Sequence, residues 1–105
     1  MLIVETTVFT RRVVHLLPDE SYRALQTELA QDPEKGTIIP GSGGLRKLRW
    51  EIPGRGKRGG SRIIYYWASA QQIILMLFLY GKNQQDDLSL DQLRMLRRLV
   101  ESEYK

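Results

Sequence analysis

The chain has no cysteine, a single histidine and no apolar run longer than the eight residues Ile73 to Tyr80. Each shortage closes a class of function. Without thiols there are no disulfides, no thiolate zinc site and no cysteine nucleophile, which suits a reducing compartment. Eight apolar residues fall far short of the ~20 that a membrane helix needs. The opening MLIVETTVF carries no basic segment before an apolar core and no small-residue cleavage site, so it is not read as a secretory signal. A cytoplasmic protein with no membrane contact is the expectation. The lone histidine, His15, sits among Val13, Val14, Leu16 and Leu17 with no partner in view and reads as an ordinary helix residue. The carboxylates are scattered along helix faces, so no metal and no cofactor is expected.

Acid is also scarce in one particular place. Between Arg46 and Arg62 there are seven basic residues and one acid, Glu51, whereas the rest of the chain carries nine basic and eleven acidic residues. The net charge of +4 is therefore local. A local excess is what a surface for a polyanion requires and a solubility charge does not. At its centre lies GRGKRGGSR, residues 54–62, with four basic residues and four glycines. It is no phosphate loop: no Lys-Ser/Thr pair follows the glycines, and a strand rather than a helix comes next.

At 105 residues the chain is read as one domain spanning 1–105, large enough for a single core. Leu2–Val4 reads as an edge strand. Phe9, Val13, Leu16 and Leu17 suit a helix from about Val8, which Pro18 stops while opening a second with Asp19 and Glu20 in its first turn. Tyr22, Leu25 and Leu29 share a face of that second helix until Asp32-Pro33. Leu45–Ile52 alternates, with Leu48, Trp50 and Ile52 on one side and Lys47, Arg49 and Glu51 on the other, so Lys47 and Arg49 stand ~7 Å apart on one sheet face. Arg62–Ala68 is a second strand across a hairpin. Gln72–Tyr80, apolar throughout, is a central third ended by Gly81. Ser89 and Gln92 form a capping box before a stripe of Leu90, Leu93, Leu96, Leu99 and Val100. The fold class is α+β: a small antiparallel sheet with two N-terminal helices packed on it and a C-terminal helix, the helices on one sheet face and the opposite face partly open.

Two cations side by side on a strand repel unless an anion neutralises them. Lys47 and Arg49, with Arg62 across the hairpin and aromatic residues nearby, offer charge for phosphate and ring faces for bases, as single-stranded RNA binding uses. Such a cluster also suffices for cleavage. RNA carries its own nucleophile, the 2′-hydroxyl. Cations can orient it, stabilise the extra charge on the phosphorane and lower the pKa of a neighbouring lysine.

The succession GSGGLRKLRW, GRGKRGGSRIIYYW and LYGKNQQDDLS resembles the HigB-like branch of the RelE/ParE toxin superfamily of bacterial type II toxin–antitoxin modules. The likeness runs over nearly the whole chain. It implies a ribosome-dependent mRNA endonuclease, an mRNA interferase that inhibits translation and leaves 2′,3′-cyclic phosphate and 5′-hydroxyl ends. It also implies a HigA-like helix-turn-helix antitoxin, with the ribosome and mRNA as further partners and DNA reached only through the antitoxin. Carried over position by position, the resemblance implies Arg62 and Lys82 for transition-state charge. Lys47 and Arg49 fall to general base and phosphate positioning, and Arg46, Arg55, Lys57 and Arg58 to RNA binding. The stretch Asp86-Asp87-Leu88-Ser89 has no aromatic where RelE enzymes stack one on a base. Two other readings stand beside the nuclease: a ParE-like inhibitor of DNA gyrase, and an RNA-binding module without turnover.

Overall fold

The computed structural model describes residues 1–51 and 60–104. Along the chain run β1 (Leu2–Glu5), α1 (Thr7–Leu16), α2 (Asp19–Gln31), β2 (Thr37–Ile38), β3 (Leu45–Trp50), β4 (Ser61–Ala68), β5 (Ile73–Gly81) and α3 (Leu90–Tyr104). The strands form one sheet in the order β1-β5-β4-β3-β2. All neighbours are antiparallel except β1, which pairs parallel with β5, Leu2 opposite Ile73. The sheet is thus mixed. A parallel pair needs a long crossover, and the chain from α1 through β4 supplies it.

Local chemistry sets the helix ends. The Thr6 side chain caps α1 by accepting from the Phe9 N–H at 3.1 Å, and its hydroxyl donates to the Leu77 carbonyl at 2.8 Å. The same residue therefore starts a helix and satisfies β5 beyond the last residue that β1 pairs. Leu17 is extended before Pro18, as the residue preceding a proline prefers. Pro18 then stands as N-cap of α2, with Asp19 and Glu20 in its first turn. The capping box of α3 forms in full: Gln92 N–H to Ser89 Oγ at 3.1 Å and Ser89 N–H to Gln92 Oε1 at 2.9 Å.

The sheet separates two cores. Phe9, Val13, Leu25 and Leu29 of the N-terminal helices pack on Leu48, Ile63, Tyr65, Met76 and Leu79. Leu96 and Val100 of α3 pack on Leu45, Ile64, Leu75, Leu77 and Tyr80. The expectation of helices on a single face is therefore corrected. The leucine stripe of α3 covers the opposite face, because Leu45, Ile64 and Leu75 there are as apolar as their counterparts.

One irregularity phases the site. Ile64 pairs with Phe78 but Tyr65 pairs with Met76, so Leu77 is an extra residue in β5. Such a bulge lets two consecutive side chains share a face, and Leu77 and Phe78 both join the α3-side cluster. Alternation then resumes with Leu79 toward α1 and α2 and Tyr80 toward α3.

Candidate nucleic-acid interface

The β3–β4 register sets Arg49 directly opposite Arg62, and the β4–β5 register sets Arg62 opposite Tyr80. Strand alternation puts all three, with Lys47, on the sheet face that carries α3. Cα atoms directly opposite lie ~4.5–5.5 Å apart, so two guanidinium side chains leave the sheet from neighbouring points. Neither arginine makes an ion pair among the described residues, and Nη1 of Arg62 is buried without a hydrogen-bond partner. Like charges directly opposite one another destabilise a sheet, and a buried donor left unmade costs more. The fold sustains both conditions at one place.

Lys82 follows Gly81, which pairs with Ser61. Its backbone N–H donates to the Gly60 carbonyl at 3.1 Å, extending the ladder beside Arg62, and its side chain is exposed. Lys47, Arg49, Arg62 and Lys82 therefore lie at one end of the β3–β4–β5 unit. Arg46 does not join them. It projects to the opposite face, where Nη1 donates to the carbonyls of Glu34 at 3.1 Å and Gly36 at 2.8 Å, and Nη2 stands 3.6 Å from the Glu34 carboxylate. Its guanidinium ties down the segment between α2 and β2, on the face away from Lys47 and Arg49. Arg55, Lys57 and Arg58, with the glycine-rich hairpin and Ile52, lie outside the described residues.

Two residues that the sequence reading passed over belong to this face. Asp87 Oδ1 lies 3.3 Å from Lys47 Nζ and accepts from the Leu88 N–H at 2.8 Å. The Leu88 N–H foremost, then Lys47, hold the Asp87 carboxyl below the usual aspartate value. Tyr80 is wholly buried, and its hydroxyl has no well-formed hydrogen bond among the described residues, lying instead beside the Asp87 carboxylate. Burial, reinforced by the Asp87 charge and opposed by Arg62, pushes Tyr80 up to about 12. The segment carrying Asp87 is pinned from two sides. Arg12 Nε donates to the Leu79 carbonyl at 2.8 Å and its Nη2 to Gln84 Oε1 at 3.0 Å, while Gln84 Oε1 also accepts from the Gly81 N–H at 2.9 Å. Gln85 Nε2 donates to the Asp87 carbonyl at 2.8 Å and to Gln92 Oε1 at 2.9 Å.

Residues 6–104 match the family described as the RelE toxin of the RelE/RelB toxin–antitoxin system. The chain belongs to the RelE toxin family. It is a toxin of a toxin–antitoxin system, and membership implies an antitoxin partner. The RelE-family fold is also shared with a solved structure, that of a double arginine-to-alanine mutant of E. coli toxin RelE in the free state. The two agree with a TM-score of 0.58 over 81% of this chain and 86% of that one, at 12% identity. Among the described residues no helix is long and apolar enough to cross a membrane.

Proposed function

We propose that this RelE-family toxin is a ribosome-dependent mRNA endonuclease of the HigB-like branch, neutralised by a HigA-like helix-turn-helix antitoxin. One observation carries the reading: Arg49 stands opposite Arg62 with neither balanced by an acid among the described residues. A gyrase-binding surface has no need of two converging unpaired guanidiniums. A phosphodiester passing through a pentacoordinate state, with charge building on its oxygens, does.

In this mechanism the message lies across the β3–β4 face with its scissile phosphate between Arg49 and Arg62. The 2′-oxygen attacks phosphorus, its proton passing to a base. The new 2′-O–P bond forms as the P–5′-O bond breaks, and the departing 5′-oxygen takes up a proton. The products are a 2′,3′-cyclic phosphate and a 5′-hydroxyl. Arg62 and Lys82 stabilise the phosphorane charge. Arg49 positions the phosphate, since a guanidinium does not release its proton. Lys47, drawn from Asp87 by the message and acting as the neutral amine, is left as the proton acceptor. No step calls for a metal ion or other cofactor.

The test is to induce the toxin without its antitoxin and map new 5′-hydroxyl ends on translated messages. Ends within codons on ribosome-bound RNA, absent with Arg62→Ala, support the reading. Arrested growth with intact messages and blocked DNA supercoiling would replace it with the gyrase reading, and salt-sensitive RNA binding without arrest would leave a binding module.

A further inference from the structure

Beside the cationic face, between the β2 edge and the start of α3, lies a cavity of about 280 Å³ lined by Ile38, Pro40, Lys47, Asp87, Leu88 and Leu93 among others. We infer that this cavity receives a nucleobase of the bound message next to the scissile phosphate, and that it favours bases bearing an exocyclic amino group over uracil. The inference rests on the nuclease reading and adds a specificity site to it.

Four observations converge. The cavity is below the ~300–1,000 Å³ of pockets for drug-sized ligands, so it suits a flat ring rather than a helix or a large cofactor. Ile38 and Pro40 contribute apolar wall from the β2 side, and Leu88 and Leu93 from the α3 side. Apolar side chains on either side of a planar ring are how unstacked bases are held. Charge is confined to Lys47 and Asp87, and Lys47 also belongs to the face carrying Arg49 and Arg62. A phosphate on the arginines and a base in the cavity are thus within the span of a nucleotide. Finally, Ile38 is 45% exposed on the two-residue edge strand β2, so its side chain is open to a ligand.

Asp87 supplies the discrimination. In the free protein its Oδ1 is held by Lys47 and the Leu88 N–H and the Tyr80 hydroxyl lies beside the carboxylate, yet the side chain is 69% exposed and open to a further donor. An ionised carboxylate only accepts. The amino groups of cytosine, adenine and guanine can donate to it, whereas uracil has no amino group and offers only an N3–H flanked by two carbonyl oxygens that a carboxylate repels.

The experiment maps 5′-hydroxyl ends across the transcriptome for wild type, Asp87→Asn and Ile38→Trp, with thermal melts confirming that each variant folds. The wild type should show uracil depleted at one fixed position beside the cut. Asp87→Asn, whose amide can also donate, should restore uracil there by about tenfold. Ile38→Trp, which fills the cavity, should suppress cuts with a purine at that position more than those with a pyrimidine. Identical base distributions in all three proteins overturn the inference while leaving the nuclease reading standing. So does complete loss of cleavage in folded Asp87→Asn, which would move Asp87 into the chemistry. If Ile38→Trp keeps the base distribution and loses antitoxin binding, the cavity belongs to the antitoxin instead. If wild type makes no ends, the nuclease reading fails and takes the inference with it.

Discussion

Replacing Arg62 with alanine separates what the cationic face does for folding from what it does for chemistry. The arginine is half-buried, so truncation forfeits packing of its stem, about 1 kcal/mol at ~0.8 per buried methylene. Against that, the variant relieves the repulsion from Arg49 directly opposite, ~0.2–1 kcal/mol, and removes the buried, unpartnered Nη1. The contributions nearly cancel, so stability should stay within about 1 kcal/mol of wild type, a melting shift under ~8 °C for a domain of this size. Cleavage should fall far more, by ~10²–10³-fold, the usual cost of removing one preorganised donor at a developing oxyanion. Arg46→Ala is the matched opposite. It strips two carbonyls of charge-assisted bonds worth ~1.5–3 kcal/mol each and should destabilise by about 3–6 kcal/mol, while the folded fraction cleaves within tenfold of wild type. Calorimetry and message cleavage on the two variants give four numbers. An Arg62→Ala protein that loses more than ~2 kcal/mol, or that keeps a tenth of its activity, would refute the reasoning.

Other outcomes follow from the same geometry. A Cβ at Gly36 would sit 2.8 Å from Tyr65 Cε1 and 2.9 Å from its hydroxyl, and that ring is fixed by bonds from the Gly36 N–H and to the Pro33 carbonyl, both 2.8 Å. Gly36→Ala should therefore cost ~1–3 kcal/mol by overpacking, read from denaturant melts; a neutral result means Tyr65 can move. Gln72 turns the β4–β5 hairpin at φ 57°, so Gln72→Gly should raise the unfolding free energy from denaturant melts by up to ~1 kcal/mol, and no gain would show the turn unstrained. The Asp87 carboxyl is depressed in the folded state, so its contribution is present above the unfolded value of 3.8 and lost as pH falls through the lower folded one. For an exposed pair that is at most ~1 kcal/mol, and the acid limb of the stability curve should flatten by no more than this in Asp87→Asn. A larger change would mean that the buried Tyr80 hydroxyl beside this carboxylate contributes more than an exposed pair does.

Much of the fold could be read locally. Alternation along Leu45–Trp50 put Lys47 and Arg49 on one face because side-chain parity in a strand has no slack. The same parity already assigned Arg46 to the side of Leu48 and Trp50, away from them. The Ser89–Gln92 box and the Pro18 boundary were legible because capping is a short-range matter. What escaped is non-local. Nothing in the leucine stripe of α3 says which sheet face it covers, since both faces of β5 are apolar. The parallel pairing of β1 joins residues some seventy positions apart. Asp87 meets Lys47 across forty positions through a turn whose path depends on Arg12 and Gln84. Tyr80 was hidden by the uniform run IILMLFLY, in which an inserted residue leaves no break in pattern.

That inserted residue puts the two ends of β5 out of phase with one another. With Leu77 deleted, Met76 and Phe78 would be neighbours opposite Tyr65 and Ile64, regular alternation would return, and Leu79 and Tyr80 would keep the faces they have. Swapping one aliphatic for another along β5 disturbs only packing. Because of the bulge, even-numbered residues serve opposite sides within one strand: Ile74 and Met76 face the N-terminal helices, while Tyr80 faces α3 and stands across from Arg62.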